Sequence, residues 1–334
     1  MIRLTTKLSA AFILAVAVCS CSGVAKSADK KSASTEKAVL LGSFDKDSAY
    51  QYIADQVAFG PRVPGTESHI ACGNYLVEKL RRFGADTIIE QQAVVEAFNG
   101  DKLPIKNIFA QFNPSALNRV LLVAHWDSRP WANMERNDER RALPIPGAND
   151  GASGVGVILE IARNINMKTP DCGVDVLFTD AEDYGSTSGF TNNDESWCLG
   201  TQYWVKNMPY NSINRPAYGI LLDMVGGTGA RFHRELASHN DARPATIKIW
   251  SEAKNLGYED IFINKVGGAI VDDHTFLIEA GIPTTDIIEH VSEATGSFPA
   301  TWHTLDDDIQ HISKETLDAV GNTVLNVIYK EKAN

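Results

Sequence analysis

Cysteine is scarce, with five in 334 residues. That is too few for a disulfide framework. A small stapled scaffold is excluded as well, because 44% hydrophobic residues at this length can bury a full core. The chain also lacks basic runs. Its 31 Lys and Arg stand against 42 Asp and Glu, a net charge of −11, which argues against nucleic acid as a partner. Beyond the N-terminus there is no stretch of about 20 apolar residues, the length needed to span a bilayer. What remains is an ordinary globular composition, 22% charged and 8% aromatic, of a size for two domains or one large one.

The first apolar run reads as a leader. Arg3 and Lys7 make its positive end, and Leu8 to Val18 is an uncharged stretch of signal-peptide length. It leads into Val18-Cys19-Ser20-Cys21, a small residue before a cysteine, as at a lipoprotein cleavage site. Residues 1–21 are thus expected to be a signal peptide with lipidation at Cys21, although Cys19 holds a position where a small or aliphatic residue is usual. Ordinary cleavage without a lipid is the alternative. Residues 22–39, rich in Ser, Ala, Lys and Asp, read as a flexible tether. The expected product is exported and periplasmic, held to a membrane only by its lipid. Of Cys72, Cys172 and Cys198, at least one should stay free.

Helical and extended signals alternate through residues 40–331, which are expected to form one domain. Helices are expected from Asp47, with Tyr50, Ile53, Ala54 and Val57 on one face, and from Glu67 to Phe83, with Ile70, Tyr75, Leu76 and Leu80 inward. Others fall at about 153–164, 245–256, 273–280 and 314–329. Strands are expected at 94–98 and 105–112. A continuous apolar run at 120–124 and largely apolar stretches at 174–178, 219–222 and 285–288 suit strands buried on both faces. Such alternation implies an α/β fold, a mostly parallel central sheet flanked by helices. No internal repeat is visible.

In open α/β sheets ligands sit at the C-terminal strand ends. The residues there are His125-Trp126-Asp127, Asp180-Ala181-Glu182-Asp183 and Asp223. Asn149-Asp150-Gly151 and Asp272-Asp273-His274 precede helices, and Trp302-His303-Thr304 comes near the end. Singly, each has a bland explanation: Asp150 and Asp272 as helix caps, Glu182-Asp183 as a solvated turn. Together they crowd carboxylates that would repel one another without a cation. Imidazole mixed with carboxylate suits zinc, whereas calcium favours more oxygens and no histidine.

The segments Gly60-Pro61-Arg62-Val63-Pro64-Gly65, His125-x-Asp127, Gly147-Ala148-Asn149-Asp150-Gly151-Ala152-Ser153-Gly154, Glu182-Asp183 and Trp302-His303-Thr304 resemble the zinc aminopeptidase-like superfamily in order and spacing. Within it, Ile270-Val271-Asp272-Asp273-His274, Phe298-Pro299 and Trp302 before His303 are most similar to the animal-type glutaminyl cyclases (glutaminyl-peptide cyclotransferases), here in a bacterial lipoprotein form. The resemblance implies zinc-dependent cyclisation of N-terminal glutamine on peptides and proteins to pyroglutamate, with release of ammonia. It implies one zinc per chain on Asp150, Asp183 and His303, and Glu182 as general acid–base with Asp223 and Asp272 in a relay around it. Trp302, Phe298 and Ile270 would line the substrate pocket. Trp197 is a further candidate there, with an ordinary buried tryptophan as its alternative.

One departure is Asp183, where the superfamily usually has a second glutamate. The main rival is a di-zinc aminopeptidase, in which positions matching His125 and Asp223 bind a second metal. His125, Asp127, Asp273 and His274 are accordingly either supports of the first site or candidates for a second. A non-catalytic peptide-binding lipoprotein is the lesser rival. With no coiled coil visible, a monomer is the default.

Overall fold

The computed structural model describes residues 40–187, 194–211 and 213–333. The leader, Cys21 and the tether lie outside them. Helices α1 (Lys46–Val57) and α2 (Glu67–Arg82) lead into a hairpin of β1 (Thr87–Glu96) and β2 (Lys102–Phe112). There follow β3 (Arg119–His125), a short α3 (Asp138–Arg141), α4 (Ala152–Met167), β4 (Gly173–Thr179), α5 (Leu199–Lys206) and β5 (Tyr218–Leu222). The chain continues through β6 (Phe232–Arg234), α6 (Leu236–Asp241), α7 (Arg243–Asn255), β7 (Phe262–Val266), α8 (Asp273–Glu279), β8 (Thr284–Ile287) and α9 (Lys314–Lys330).

One six-stranded sheet runs in the order β1-β2-β4-β3-β5-β8. Its β4, β3, β5 and β8 are parallel, and the hairpin adds antiparallel to β4 at one edge. Both faces are covered, which is why β3 and β5 read as apolar runs, whereas β4 carries a buried Asp175 paired with Arg119 and β8 carries the buried Asp286. Val120, Leu122 and Ala124 of β3 face a core shared with α1, α2, α4, α7 and α9. Leu121 and Val123 face a smaller core with Trp204 of α5 and Leu277 of α8. The β6–β7 pair forms a separate small parallel sheet. Among the described residues no helix is long and apolar enough to cross a membrane.

Three details correct the sequence expectations. Ile70 is 54% exposed, because α2 turns His69 inward instead. That imidazole hydrogen-bonds Asp180 at 2.9 Å and stacks on Trp126, so a polar side chain with partners takes the buried position. In α1 the buried face is Ala49, Tyr52, Ile53 and Gln56 rather than one centred on Tyr50 and Val57. The Gln56 side-chain nitrogen donates there to the carbonyls of Tyr52 and Ala152. Strand β1 starts earlier than expected and stops at Glu96, leaving Phe98 in the turn and exposed. Cys72, Cys172 and Cys198 are all free and buried.

Helix α4 lies unusually close to the sheet. A Cβ on Gly154 would sit 2.0 Å from the Leu222 carbonyl oxygen, and one on Gly156 would sit 2.6 Å from Ile53. Glycine there lets α4 bring its N-terminus to the strand ends. Gly154→Ala meets backbone that cannot step aside, so it is expected to cost about 1–3 kcal/mol or more by urea unfolding.

Candidate active site

Acidic and imidazole side chains converge at the C-terminal ends of β3, β4, β5 and β8. The loop before α4 carries Asp150, and its course is held by partners well removed in sequence. Buried Arg62 donates from Nη1 to the Pro146 carbonyl and from Nη2 to that of Gly147, each at 2.6 Å, which explains the Gly60–Gly65 motif. Asp307 accepts from the backbone N–H of Asn149 at 2.8 Å and of Asp150 at 3.1 Å. Its carboxyl is pushed up to about 8, chiefly by burial and then by the charge of Asp150. Gly151, at φ +88°, turns the chain into α4 with its Cα facing the Asp127 carbonyl.

After β4, Asp127 shapes the next turn by accepting from the backbone N–H of Glu182 at 3.1 Å and of Asp183 at 3.3 Å. Of the five non-glycine residues with positive φ among those described, Ala181, Cys198, Met224 and His303 adjoin this site. Local strain of this kind persists only where the surroundings hold it, and it concentrates at functional sites.

Asp150, Asp183 and His303, all buried, bring one donor atom each to within 4.8 Å of one another. His303 Nε2 is 3.1 Å from Asp183 Oδ1 and 3.7 Å from Asp150 Oδ2. Burial, and then the nearby Arg129 charge, hold the His303 imidazole well below its ordinary pKa, so it stands neutral as a metal ligand must. Asp183 Oδ2 is buried with no hydrogen-bond partner, an orphan that a cation would satisfy. The mixed nitrogen and oxygen donors fit zinc.

His125 Nε2 lies 3.1 Å from Asp150 Oδ1 and 3.2 Å from Asp223 Oδ1, and its Nδ1 is 3.4 Å from Asp127 Oδ1. Burial disfavours its charge, but this ring of carboxylates outweighs burial and raises its pKa well above the ordinary value. His125, Asp150 and Asp223 also form a compact donor group. Asp273 and His274 stand apart from it. Asp273 accepts from the Thr179 hydroxyl at 2.6 Å, and His274 turns away to Glu235 at 3.1 Å and Asp286 at 3.4 Å.

A pocket of about 260 Å³ opens over these groups. Asp150, Glu182, Asp183, Asp223, Asp272 and His303 lie in it, walled by Trp197, Ile270, Phe298 and Trp302. Trp302 stacks on His303 at 3.8 Å between ring centroids and meets Phe298 at 4.5 Å. Trp197 stands parallel to His303 at 6.2 Å. Burial pushes the Glu182 carboxyl well above the ordinary range, and the charges of Asp183, Asp272 and Asp273 add to that. Trp126 is fully buried core, whereas Trp131 packs on Tyr184 and Phe98 near the surface.

Sequence reading did not single out Arg129, Met224 or Asp307, and it gave Cys198 and Val271 no place in the site. Met224 and Val271 line the pocket, and the Cys198 thiol donates to Glu182 Oε1 at 3.4 Å. Met224 follows directly on Asp223, so proximity to a strand end could have flagged it.

The fold and this donor set define a chain of the zinc aminopeptidase-like type. Residues 107–328 match peptidase family M28, and the chain belongs to that family. Within it the chain is similar both to cyclases and to aminopeptidases. The solved glutaminyl cyclase of Bacteroides thetaiotaomicron, bound to N-acetylhistamine, is 49% identical with a TM-score of 0.83, over 86% of this chain and 99% of that one. A leucine aminopeptidase precursor from the same organism is 48% identical with a TM-score of 0.82, over 86% and 98%. The bovine (Bos taurus) glutaminyl-peptide cyclotransferase is 25% identical over 307 residues, 81% of this chain and 78% of that protein.

Proposed function

We propose that the chain is a glutaminyl-peptide cyclotransferase, closing N-terminal glutamine of peptides and proteins to pyroglutamate with release of ammonia. The observation that carries this reading is the aromatic pocket of Trp197, Phe298 and Trp302 set directly over a carboxylate–imidazole site with Glu182 at its floor. An apolar-walled cup of that size suits one glutamine side chain folded back on its own amine.

Asp150, Asp183 and His303 would hold one zinc, which when bound supplies a Lewis acid for the γ-carbonyl oxygen of the substrate. Glu182 takes a proton from the α-amine as the new carbon–nitrogen bond forms, and returns it to the amide nitrogen that leaves as ammonia. A carboxyl raised by burial is suited to both transfers. Asp223 and Asp272 are assigned to steer Glu182, and the aromatic walls orient the substrate and keep water out. Orientation matters because the ring closes within one molecule.

In the one-zinc reading His125 holds hydrogen bonds rather than a second metal, its Nε2 lying 3.1 Å from Asp150 and 3.2 Å from Asp223 and its Nδ1 3.4 Å from Asp127. Residues 1–21 are proposed to export the enzyme to the periplasm with Cys21 lipidated, where newly cleaved proteins beginning with glutamine would be substrates. The test is ammonia release from a glutamine-initial peptide by the purified protein. Activity should vanish with a chelator and return with about one equivalent of zinc. Recovery only at two equivalents, with a free amino acid released, would favour the aminopeptidase reading.

A further inference from the structure

Arg129 is buried beside the site and reaches both the Asp183 turn and the Trp197 wall. It is 1% exposed. Its Nη1 donates to the Asp183 carbonyl at 2.9 Å and to Asp183 Oδ1 at 3.2 Å. Its Nη2 donates to the Gly185 carbonyl at 3.1 Å, and its Nε donates to Asn133 Oδ1 at 2.5 Å. The guanidinium lies over the Trp197 ring at 4.9 Å and over Trp131 at 5.6 Å. A Cβ on Gly185 would sit 2.0 Å from the Trp197 ring, so the turn after Asp183 is shaped to admit that tryptophan.

Charge counting suggests why a buried cation belongs beside a metal site. Two carboxylates and one imidazole around a divalent ion leave no net charge, and a neutralised ion attracts a carbonyl oxygen poorly. Among the described residues Asp183 is the one carboxylate that pairs with Arg129. That carboxylate therefore shares its electron density between the guanidinium and the metal. We propose that Arg129 is a positioning residue that draws charge from Asp183, keeping a zinc held there electrophilic, and that fixes Trp197 as a wall of the pocket. This rests on Asp183 and His303 being ligands.

A clamp that only held the loop in place would, on removal, weaken metal binding and turnover together. The charge-withdrawing role predicts opposite directions. In Arg129→Gln, kcat should fall about 10- to 100-fold, the usual scale for a partner of a metal ligand. Zinc, measured by competition with a chelator, should be held at least as tightly as in the parent. The visible spectrum of the cobalt-substituted enzyme should shift. Arg129→Lys restores the charge without the planar stack on Trp197, so it should recover kcat while keeping a raised KM.

Parallel loss of zinc affinity and kcat in Arg129→Gln would reduce Arg129 to a structural clamp. Unchanged kcat and an unchanged cobalt spectrum would remove it from the reaction altogether. His303→Ala, run in the same chelator assay, separates the layers. If it leaves zinc affinity intact, the ligand reading fails and the Arg129 proposal falls with it. If it weakens zinc while Arg129→Gln behaves as a clamp, the Arg129 proposal alone falls.

Discussion

Glu182→Gln slows ammonia release by about 10²- to 10⁴-fold, the scale expected when a general acid–base is removed. The amide is nearly the same size and shape as the carboxyl, so the pocket and the metal ligands keep their places. Burial works in the variant's favour: a neutral amide replaces a carboxyl whose ionisation the site resists. Zinc content and melting temperature should therefore match the parent within error, and kcat should fall with little change in KM. Near-normal turnover in this variant would mean that the proton passes through another group, with Asp272 the next to test.

The second large effect concerns the metal. His303→Ala removes the one nitrogen donor of the Asp150–Asp183–His303 group and leaves two buried carboxylates facing each other. Their mutual repulsion should raise their proton affinity, so the variant binds zinc poorly and a proton more readily. Loss of the Lewis acid, worth several kcal/mol, predicts a fall in kcat/KM of about 10³-fold or more. Atomic absorption on the dialysed protein, read beside the rate, checks both parts. A variant that keeps zinc and rate would transfer the ligand role elsewhere, to the His125, Asp150 and Asp223 group first.

Much of this site was legible because chemistry collects where parallel strands end. His125, Asp127 and Asp223 could be found by reading one to three residues past an apolar run, Asp183 by reading on through the turn five residues past the run that ends at 178, and Asp150 by reading back from the start of a helix. A search for acids and imidazoles could not find Arg129, a cation that acts only because the loop folds it under the β4 turn. Nor could reading from strand ends find Asp307, which matters through two backbone N–H groups more than 150 residues away in sequence. Helix faces were misread where a polar residue found a buried partner. His69 and Gln56 took inward positions that hydrophobicity assigns to Ile70 and Tyr50. Short elements such as α5, α6, β6 and β7 lack the length for periodicity to show.

The most direct test of the account is the mass of the product formed from a short peptide beginning with glutamine, followed with time. Cyclisation predicts a single product lighter by one ammonia and blocked to an aminopeptidase added afterwards. A product heavier than that, with ammonia exchanged for water, would make the enzyme an amidase. A peptide shortened by its first residue, with free glutamine in solution, would contradict the cyclase reading and make His125 and Asp223 ligands of a second metal.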